Sequence, residues 1–278
     1  MKKINRRSFL AAAGLTAAAL ALTACGGSAS STASSTASSA ASSEAASTSA
    51  AVELTTVEAG KLPMATNAAF PPYEMTTDAG EFEGIDIDTA KAIAEKLGLE
   101  LQIDDMDFDA ALLSVQQGKA DIVMAGVTVT DERKAVMDFS DSYATGIQSI
   151  IVPEGSDITS PDDLAGKKIG TQRGTTGYIY CSDDFGDDAV VAYDDGLTAV
   201  QALNNGQVDA VVIDNAPAKE FVAANPGLVI LDTSYAEEDY AIGLAKGSAL
   251  EDAVNAALEE LKADGTLQSI VDKYITAE

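Results

Sequence analysis

From residue 61 onward, short apolar stretches alternate with amphipathic stretches that end at a glycine, and this alternation restricts the fold more than any other feature. Short apolar runs bounded by turn residues indicate strands, and apolar residues at the helical period indicate helices. The pattern predicts strands over 62–67, 101–103, 121–125, 149–152, 168–171, 190–192 and 209–213. It predicts helices over 86–97, 107–117, 197–205 and 249–275, the last interrupted by Gly265. Such alternation favours an α/β fold with parallel sheets covered by helices.

Two segments of the chain resemble each other at a constant offset of 88 residues. Residues 114–126 (SVQQGKADIVMAG) align with residues 202–214 (ALNNGQVDAVVID). Any α/β protein can repeat helix, glycine and strand by chance, but we favour a pair of βαβ-type lobes of similar plan. Because ligands of open α/β sheets bind beyond the carboxyl ends of the strands, Gly126 and Asp214 would lie on opposite walls of one cleft. The expected architecture is therefore a clamshell.

The chain must pass from lobe 1 to lobe 2 and return once, so we expect two crossing segments to join the lobes, near 144–148 and 238–241. Residues 56–144 with 241–278 are assigned to lobe 1, and residues 145–240 to lobe 2.

The composition excludes several classes of function. The chain has 44 acidic and 17 basic residues and no histidine. Mechanisms that need an imidazole, including the Ser-His-Asp and Cys-His systems, are therefore excluded. Nucleic acid is excluded as a partner because its phosphates need basic grooves. The acidic pairs at 183–184 and 187–188 lack the pattern of a calcium-binding loop, and we expect neither a metal nor another cofactor.

The N-terminal residues have the composition of export and anchoring segments. Residues 1–24 combine basic residues with an apolar run over 9–22, too short to span a bilayer comfortably, which predicts a signal peptide. Residues 22–25 (LTAC) resemble the bacterial lipobox, so we expect Cys25 to carry a lipid. The arginines at 6–7 leave open whether export uses the general or the twin-arginine route. Residues 25–55, rich in Ser, Ala and Thr, predict a flexible tether. The protein is therefore expected on the extracytoplasmic face of the cell membrane.

Seven short motifs occur in order within residues 62–274. They are ATNAAFPPYE (65–74), GIDID (84–88), DFD (107–109), GVTVTDER (126–133), DFS (138–140), GTTG (174–177) and IDN (213–215). Together they resemble the polar amino-acid family of periplasmic-type substrate-binding proteins. The resemblance implies a two-lobed fold with two crossing segments and a free amino acid bound between the lobes.

Arg133 and Asp214 carry the charge recognition that this resemblance implies. The planar guanidinium of Arg133 can hold a carboxylate through two parallel hydrogen bonds. In the family the corresponding arginine does so with help from the preceding loop, here Ala125, Gly126 and Thr128. Asp214 follows an apolar run at a strand end, where a carboxylate is costly unless it is paired, and it is the expected partner of the ligand ammonium. Taken alone, Arg133 could be a surface residue of a helix and Asp214 a helix cap.

The resemblance implies further contacts from both lobes. Exposed backbone N–H groups at a helix start bind carboxylates, and by resemblance Gln172, Thr175 and Thr176 contact the ligand there. Phe70 and Phe108 resemble the two aromatic residues that sandwich the ligand side chain, although either could be an ordinary core residue.

Asn67 departs from the pattern of family members that bind lysine, arginine or histidine, which commonly carry Asp at this position. An amide has no net charge, so Asn67 favours a ligand with a neutral polar or aliphatic side chain. A carboxylate from elsewhere, such as Glu74, could restore a preference for basic amino acids, and cystine stays open as well.

The resulting hypothesis is a substrate-binding lipoprotein, expected to be a monomer, that delivers an amino acid to an ABC permease with a cytoplasmic ATPase. One alternative is a dehydratase-like enzyme on the same scaffold, which would need a general acid or base in the cleft. Another is the ligand-binding domain of a sensory receptor. Receptors carry a transmembrane helix after such a domain and this sequence shows none there, so we expect a freestanding protein.

Overall fold

The computed structural model describes residues 54–275 of the 278-residue chain. The predicted signal peptide, Cys25 and almost all of the predicted tether lie outside the described residues. No helix between residues 54 and 275 is both long enough and apolar enough to cross a membrane.

Within this part of the chain, strands and helices alternate along most of the sequence. The strands are β1 (Lys61–Thr66), β2 (Ala69–Phe70), β3 (Glu74–Thr76), β4 (Phe82–Glu83), β5 (Glu100–Asp105), β6 (Ile122–Val123), β7 (Met137–Phe139), β8 (Ala144–Pro153), β9 (Ile169–Gln172), β10 (Val190–Tyr193), β11 (Ala210–Asp214), β12 (Leu228–Ile230), β13 (Ala236–Tyr240) and β14 (Gly243–Ala245). The helices are α1 (Ile85–Leu97), α2 (Phe108–Gln116), α3 (Asp131–Val136), α4 (Thr176–Phe185), α5 (Gly196–Asn204), α6 (Asn215–Ala224), α7 (Glu251–Ala263) and α8 (Thr266–Tyr274).

The strands form two large sheets and one small one. The first sheet has the order β5-β1-β6-β14-β7, and the second has the order β10-β9-β11-β8-β12 with β13 also paired to β8. Strands β2, β3 and β4 make a small antiparallel sheet. The two large sheets are the cores of the two lobes of an α/β clamshell, as the sequence predicted.

Helices cover both faces of each large sheet. In β1, Leu62 and Met64 pack in the cluster that contains α1 and α7, whereas Ala65 packs on the opposite face with α2. In the second sheet, Val211 packs with α5 and α6, and Val212 packs with α4. Successive strand residues point to opposite faces, which explains why these strands are apolar throughout rather than at alternate positions.

The predicted helices at 86–97, 107–117 and 197–205 are observed as α1, α2 and α5, with ends that differ by one residue. Gly98, Gly118 and Gly206 follow these helices with φ of 67°, 65° and 67°, a backbone conformation that only glycine adopts without strain. The predicted interruption at Gly265 separates α7 from α8.

The predicted crossing segments lie in β8 and β13, which pair with each other in antiparallel orientation. Ala144 lies opposite Tyr240, and Gly146 lies opposite Glu238. An added Cβ at Gly146 would come within 2.5 Å of the Tyr240 ring, so the ring packs directly on the backbone of the other crossing strand.

The prediction that the sheets are parallel is right for β5-β1-β6 and for β10-β9-β11, and wrong for the strands beside the crossings. Strand β8 is antiparallel to β11, and β14 is antiparallel to β6 and β7. These strands bring the chain directly from one sheet to the other without a crossover helix, so they enter from the opposite end. The predicted strand 149–152 is the second half of β8, which also includes the residues assigned to the first crossing.

The predicted lobe bounds stay a prediction. All strands of the first sheet fall within 56–144 and 241–278, and those of the second within 145–240 except for Ala144, the first residue of β8.

Candidate ligand-binding site

One small cavity lies where the carboxyl ends of strands from both large sheets meet. It brings together all eleven residues that the sequence predicted as ligand contacts, and it adds Glu74. The lining residues are Asn67, Phe70, Glu74, Phe108, Ala125, Gly126, Thr128, Arg133, Gln172, Thr175, Thr176 and Asp214. Their contact with a ligand stays a prediction.

Arg133 is a buried cation in this cavity. It lies in the first turn of α3, where its N–H donates to the Oγ1 of the N-cap residue Thr130 at 3.2 Å. Its guanidinium Nη1 donates to the carbonyl of Thr128 at 2.7 Å, its Nη2 donates to the carbonyl of Gly174 at 3.1 Å, and its Cζ lies 5.4 Å from the centre of the Phe108 ring. Burial lowers the pKa of Arg133, but an arginine keeps its charge in proteins. Within residues 54–275, no carboxylate oxygen lies within 4.0 Å of its guanidinium.

Asp214 is a buried acid on the second lobe. It ends β11, and its side chain is 8% exposed. Its Oδ2 accepts a hydrogen bond from Gln148 Nε2 at 2.8 Å, and its Oδ1 accepts one from the Tyr240 hydroxyl. Burial raises its pKa to about 7, and the charge of the neighbouring Glu238 contributes to the rise. Both hydrogen-bond partners of Asp214 are neutral, and no Lys or Arg nitrogen of residues 54–275 lies within 4.0 Å of its carboxylate.

Glu238 forms the centre of a buried network behind the cavity that the sequence analysis did not predict. Its Oε2 accepts hydrogen bonds from Thr176 Oγ1 at 2.9 Å, from Thr128 Oγ1 at 3.1 Å and from Gln148 Nε2 at 3.1 Å. The only sequence signal was the occurrence of Gln148 and Glu238 in crossing segments, since neither belongs to one of the seven motifs.

Asn67 and Gln172 meet across the cavity. Gln172 Nε2 donates to Asn67 Oδ1 at 2.8 Å, and Asn67 Nδ2 donates to the carbonyl of Met106 at 2.9 Å. Thr175 caps α4 by accepting from Tyr178 N, and its hydroxyl donates to the carbonyl of Gln172 at 2.8 Å. Both polar groups of Asn67 are therefore engaged by the protein.

Phe70 forms an aromatic wall that lies against the backbone. An added Cβ at Gly126, whose φ is +54°, would come within 2.8 Å of Phe70 Cε1. The ring of Phe70 also stacks on Tyr73 with 5.9 Å between ring centres. Residue 126 must be glycine because of both its conformation and this close approach.

Glu74 and Asp86 are fully buried acids beside the cavity. Asp86 accepts hydrogen bonds from Gly126 N at 2.9 Å and from the Tyr143 hydroxyl at 2.7 Å, and burial raises its pKa to about 6. No N–H or O–H group of the described residues donates to either carboxyl oxygen of Glu74. Burial, together with the adjacent Asp86, raises the pKa of Glu74 well above its usual value.

No group of three or more His, Cys, Asp or Glu side chains in the described part of the chain could hold a metal ion.

The sequence profile of the bacterial extracellular solute-binding proteins, family 3, matches residues 62–277. The chain belongs to this family. This solute-binding protein is 32% identical over 283 residues to the probable histidine-binding protein of Neisseria gonorrhoeae, covering 99% of this chain and 98% of that one. It is 33% identical over 226 residues to the L-cystine-binding protein TcyJ of Escherichia coli, covering 80% of this chain and 85% of TcyJ.

Solved structures show the same fold. An ancestral arginine-binding protein bound to arginine matches this solute-binding protein with a TM-score of 0.74 at 43% identity, covering 78% of this chain and 98% of that one. The form bound to glutamine matches with a TM-score of 0.75 at 42% identity, covering 79% and 100%. The predicted resemblance to amino-acid-binding proteins of ABC transporters is confirmed, and the chain has the substrate-binding role of that family.

Proposed function

We propose that this protein binds a free amino acid in the cavity and delivers it to an ABC permease with a cytoplasmic ATPase. The observation that carries the proposal is a separation of charge. Arg133 is buried without a carboxylate within 4.0 Å, and Asp214 and Glu238 are buried without an ion pair to any cation of residues 54–275. Buried charges are costly unless they are paired. A zwitterion supplies both missing partners, its carboxylate for Arg133 and its ammonium for the acids.

Four lining residues support a ligand side chain that ends in a nitrogen hydrogen-bond donor. Phe70 and Phe108 offer apolar surface to the stem of such a side chain. The polar groups of Asn67 are already engaged, whereas the carboxyl oxygens of Glu74 receive no donor from the described residues. An aliphatic side chain would leave the carboxyl oxygens of Glu74 buried without a donor, which opposes binding.

The choice between a neutral and a basic side chain depends on the proton of Glu74. An amide such as that of glutamine can pair with the protonated acid, which agrees with the neutral Asn67. A guanidinium or ammonium would instead drive the proton from Glu74, so its binding would release a proton. Binding of either class also releases the proton of Asp214 near neutral pH, because its pKa is about 7. Proton release is therefore measured by calorimetry at about pH 8.5, where Asp214 is already ionised, in buffers of different ionisation enthalpy, and it then distinguishes the two classes.

Lipid attachment at Cys25 is part of the proposal, and it places the binding domain on the extracytoplasmic face of the cell membrane. Its support is the LTAC sequence after the apolar run and membership of an extracellular family. We further propose that the protein acts as a monomer.

A thermal-shift screen tests the proposed function. The chain from residue 26 onward is titrated with the twenty amino acids, ornithine and cystine, and Arg133→Ala serves as the matched control. Ligand at a hundredfold excess over its dissociation constant stabilises the folded state by about 2.7 kcal/mol. One or a few nitrogen-bearing amino acids should shift the parent and leave the variant unchanged. The absence of any shift in the parent would contradict the proposal.

A further inference from the structure

Glu238 lies at the meeting point of the two lobes and the crossing strands. It belongs to β13, and the residue is 6% exposed. Its three donors come from the loop after β6, from β8 and from the start of α4. The carboxylate does not line the cavity, but the hydroxyl-bearing residues Thr128 and Thr176 do.

The network fixes the direction of each hydrogen bond. Gln148 Nε2 contacts both Asp214 Oδ2 and Glu238 Oε2, so the amide must present its donor group here, because its oxygen would face two carboxyl groups. One oxygen of Glu238, Oε2, accepts all three hydrogen bonds. Thr128 and Thr176 each have one hydroxyl proton, and both protons point to Glu238.

Towards the cavity, the hydroxyl oxygens of Thr128 and Thr176 can therefore act only as hydrogen-bond acceptors. Their oxygens lie 3.4 Å apart, and neither proton is left for a ligand. A ligand group beside them must donate hydrogen bonds, and a carboxylate or carbonyl oxygen would be repelled.

We propose that Glu238 is a positioning residue that makes Thr128 and Thr176 hydrogen-bond acceptors and so selects the ligand ammonium over a neutral group at the same position. The proposal rests on the proposed amino-acid function. Glu238 acts without touching the ligand, and Asp214 supplies the direct charge partner. Because Thr128 follows a strand of the first sheet and Thr176 one of the second, the acceptor pair is complete only when the lobes are closed.

The matched variants are Glu238→Gln and Glu237→Gln. Glu237 is the preceding residue of β13 and is exposed, so the same change there removes the same charge outside the network. In Glu238→Gln the carboxamide oxygen takes the place of Oε2, because Gln148 needs an acceptor there, and it can accept the same three hydrogen bonds. An uncharged acceptor holds the threonine protons less strongly than a carboxylate, so either threonine can turn its proton to a ligand.

The probes are L-glutamine, L-arginine and L-histidine, each with its α-hydroxy acid counterpart, titrated by calorimetry. The hydroxy acids replace the ammonium with a group that can also accept a hydrogen bond. We expect the parent to prefer an amino acid over its hydroxy acid by at least about 30-fold. In Glu238→Gln this ratio should fall about fivefold or more, since a hydrogen bond to a neutral acceptor is weaker than one to a charged acceptor by about 1 kcal/mol. Glu237→Gln should keep the parent ratio within about twofold.

Other outcomes would overturn the inference. A purely structural role for Glu238 predicts equal weakening of both probes and an unchanged ratio. If Glu238→Gln fails to fold, as judged by circular dichroism, the same ratio is measured in Thr176→Val and Thr176→Ser. The preference for the amino acid over its hydroxy acid should fall in the valine variant and persist in the serine variant. If none of the three binds, the amino acid that shifts the parent in the thermal screen and its hydroxy acid replace them. A parent that binds no amino acid of that screen would contradict the proposed function itself, whereas a parent that binds with an unchanged ratio in the variants contradicts only the role of Glu238.

Discussion

Asn67 and Gln172 join the two lobes across the cavity through a hydrogen bond of 2.8 Å between Gln172 Nε2 and Asn67 Oδ1. Asn67 follows β1 of the first sheet, and Gln172 ends β9 of the second. The bond between Arg133 Nη2 and the carbonyl of Gly174, at 3.1 Å, makes a second link of this kind. The structure is therefore a closed state in which both lobes enclose the cavity. A ligand that contacts both lobes shifts the equilibrium toward this state by its differential affinity.

Replacing Gln172 by alanine should weaken amino-acid binding by about 5- to 10-fold, since a net hydrogen bond contributes about 1 kcal/mol. Most of the change should be in the dissociation rate, which should rise. The hydrogen bond between Gln172 and Asn67 forms when the lobes close, after the ligand has reached the cavity, so its loss affects dissociation more than association. Stopped-flow fluorescence with a labelled lobe measures both rates. Gln201→Ala, an exposed position on α5, is the matched control, and equal effects of the two variants would argue against a closing role for Gln172.

Binding should become weaker as the pH falls below neutrality. Burial raises the pKa of Asp214 to about 7, so the ligand-free protein carries a proton there in acid. An ammonium favours the ionised form, and this proton must leave on binding. The affinity should be nearly constant above about pH 8 and should fall toward tenfold per pH unit well below pH 7. Calorimetric titration between pH 5 and 8 checks this, and an affinity independent of pH would place the ammonium elsewhere.

Two buried acids should make the free energy of unfolding of the ligand-free protein decrease as the pH rises, whereas a salt-bridged acid would make it increase. Burial raises the folded-state pKa of Asp214 to about 7 and that of Asp86 to about 6, above the ordinary value of 3.8. Between these limits the folded state holds more protons than the unfolded state, so these groups make the free energy of unfolding decrease as the pH rises from 4 to 7. Each contributes at most about 1.4 kcal/mol per pH unit.

Urea unfolding at several pH values measures this slope in the parent and in Asp214→Asn. The variant should lose less stability between pH 5 and 7 than the parent, because its amide does not titrate. The acidic surface affects both proteins alike, so the difference isolates Asp214. Identical slopes would show that Asp214 is not a buried titrating group.

Much of the fold could be predicted because its sequence signals are local. The helices α1, α2 and α5 are amphipathic and end at glycines with positive φ, so each has both a periodic pattern and a stop signal. The sequences of strands β8 and β14 carry no comparable signal that shows whether they pair in parallel or antiparallel orientation. Their antiparallel pairing depends on how the chain passes between lobes, which is a property of the whole topology.

The predicted lining residues were found through motifs, and the structure brings them together in one cavity. Glu238 and Gln148 could not be found in the same way. Their role depends on residues that are distant in sequence and meet only in the fold: Thr176 and Glu238 are 62 positions apart, and Thr128 and Glu238 are 110 positions apart. A buried carboxylate in a strand is recognisable only when its partners are known.

Replacing Cys25 by alanine should leave the protein with an uncleaved signal peptide or release it from membranes. The lipobox resemblance of residues 22–25 is the reason for this expectation. Membrane fractionation and mass spectrometry of the mature N-terminus check it. A parent protein whose N-terminus is any residue other than a lipid-modified Cys25 would contradict lipid anchoring.

The central claim is that Arg133 and Asp214 hold opposite charges of one ligand. Calorimetric titration of Arg133→Ala, Arg133→Lys and Asp214→Asn against the amino acid that binds the parent most tightly tests it directly. Removing either partner of a buried charge pair costs roughly 2–5 kcal/mol, so affinity should fall by about 30- to 5,000-fold. Arg133→Lys should recover only part of the loss, since an ammonium cannot make two parallel hydrogen bonds. If Arg133→Ala or Asp214→Asn binds within about threefold of the parent at neutral pH, that residue does not contact the ligand and the account of the site is wrong.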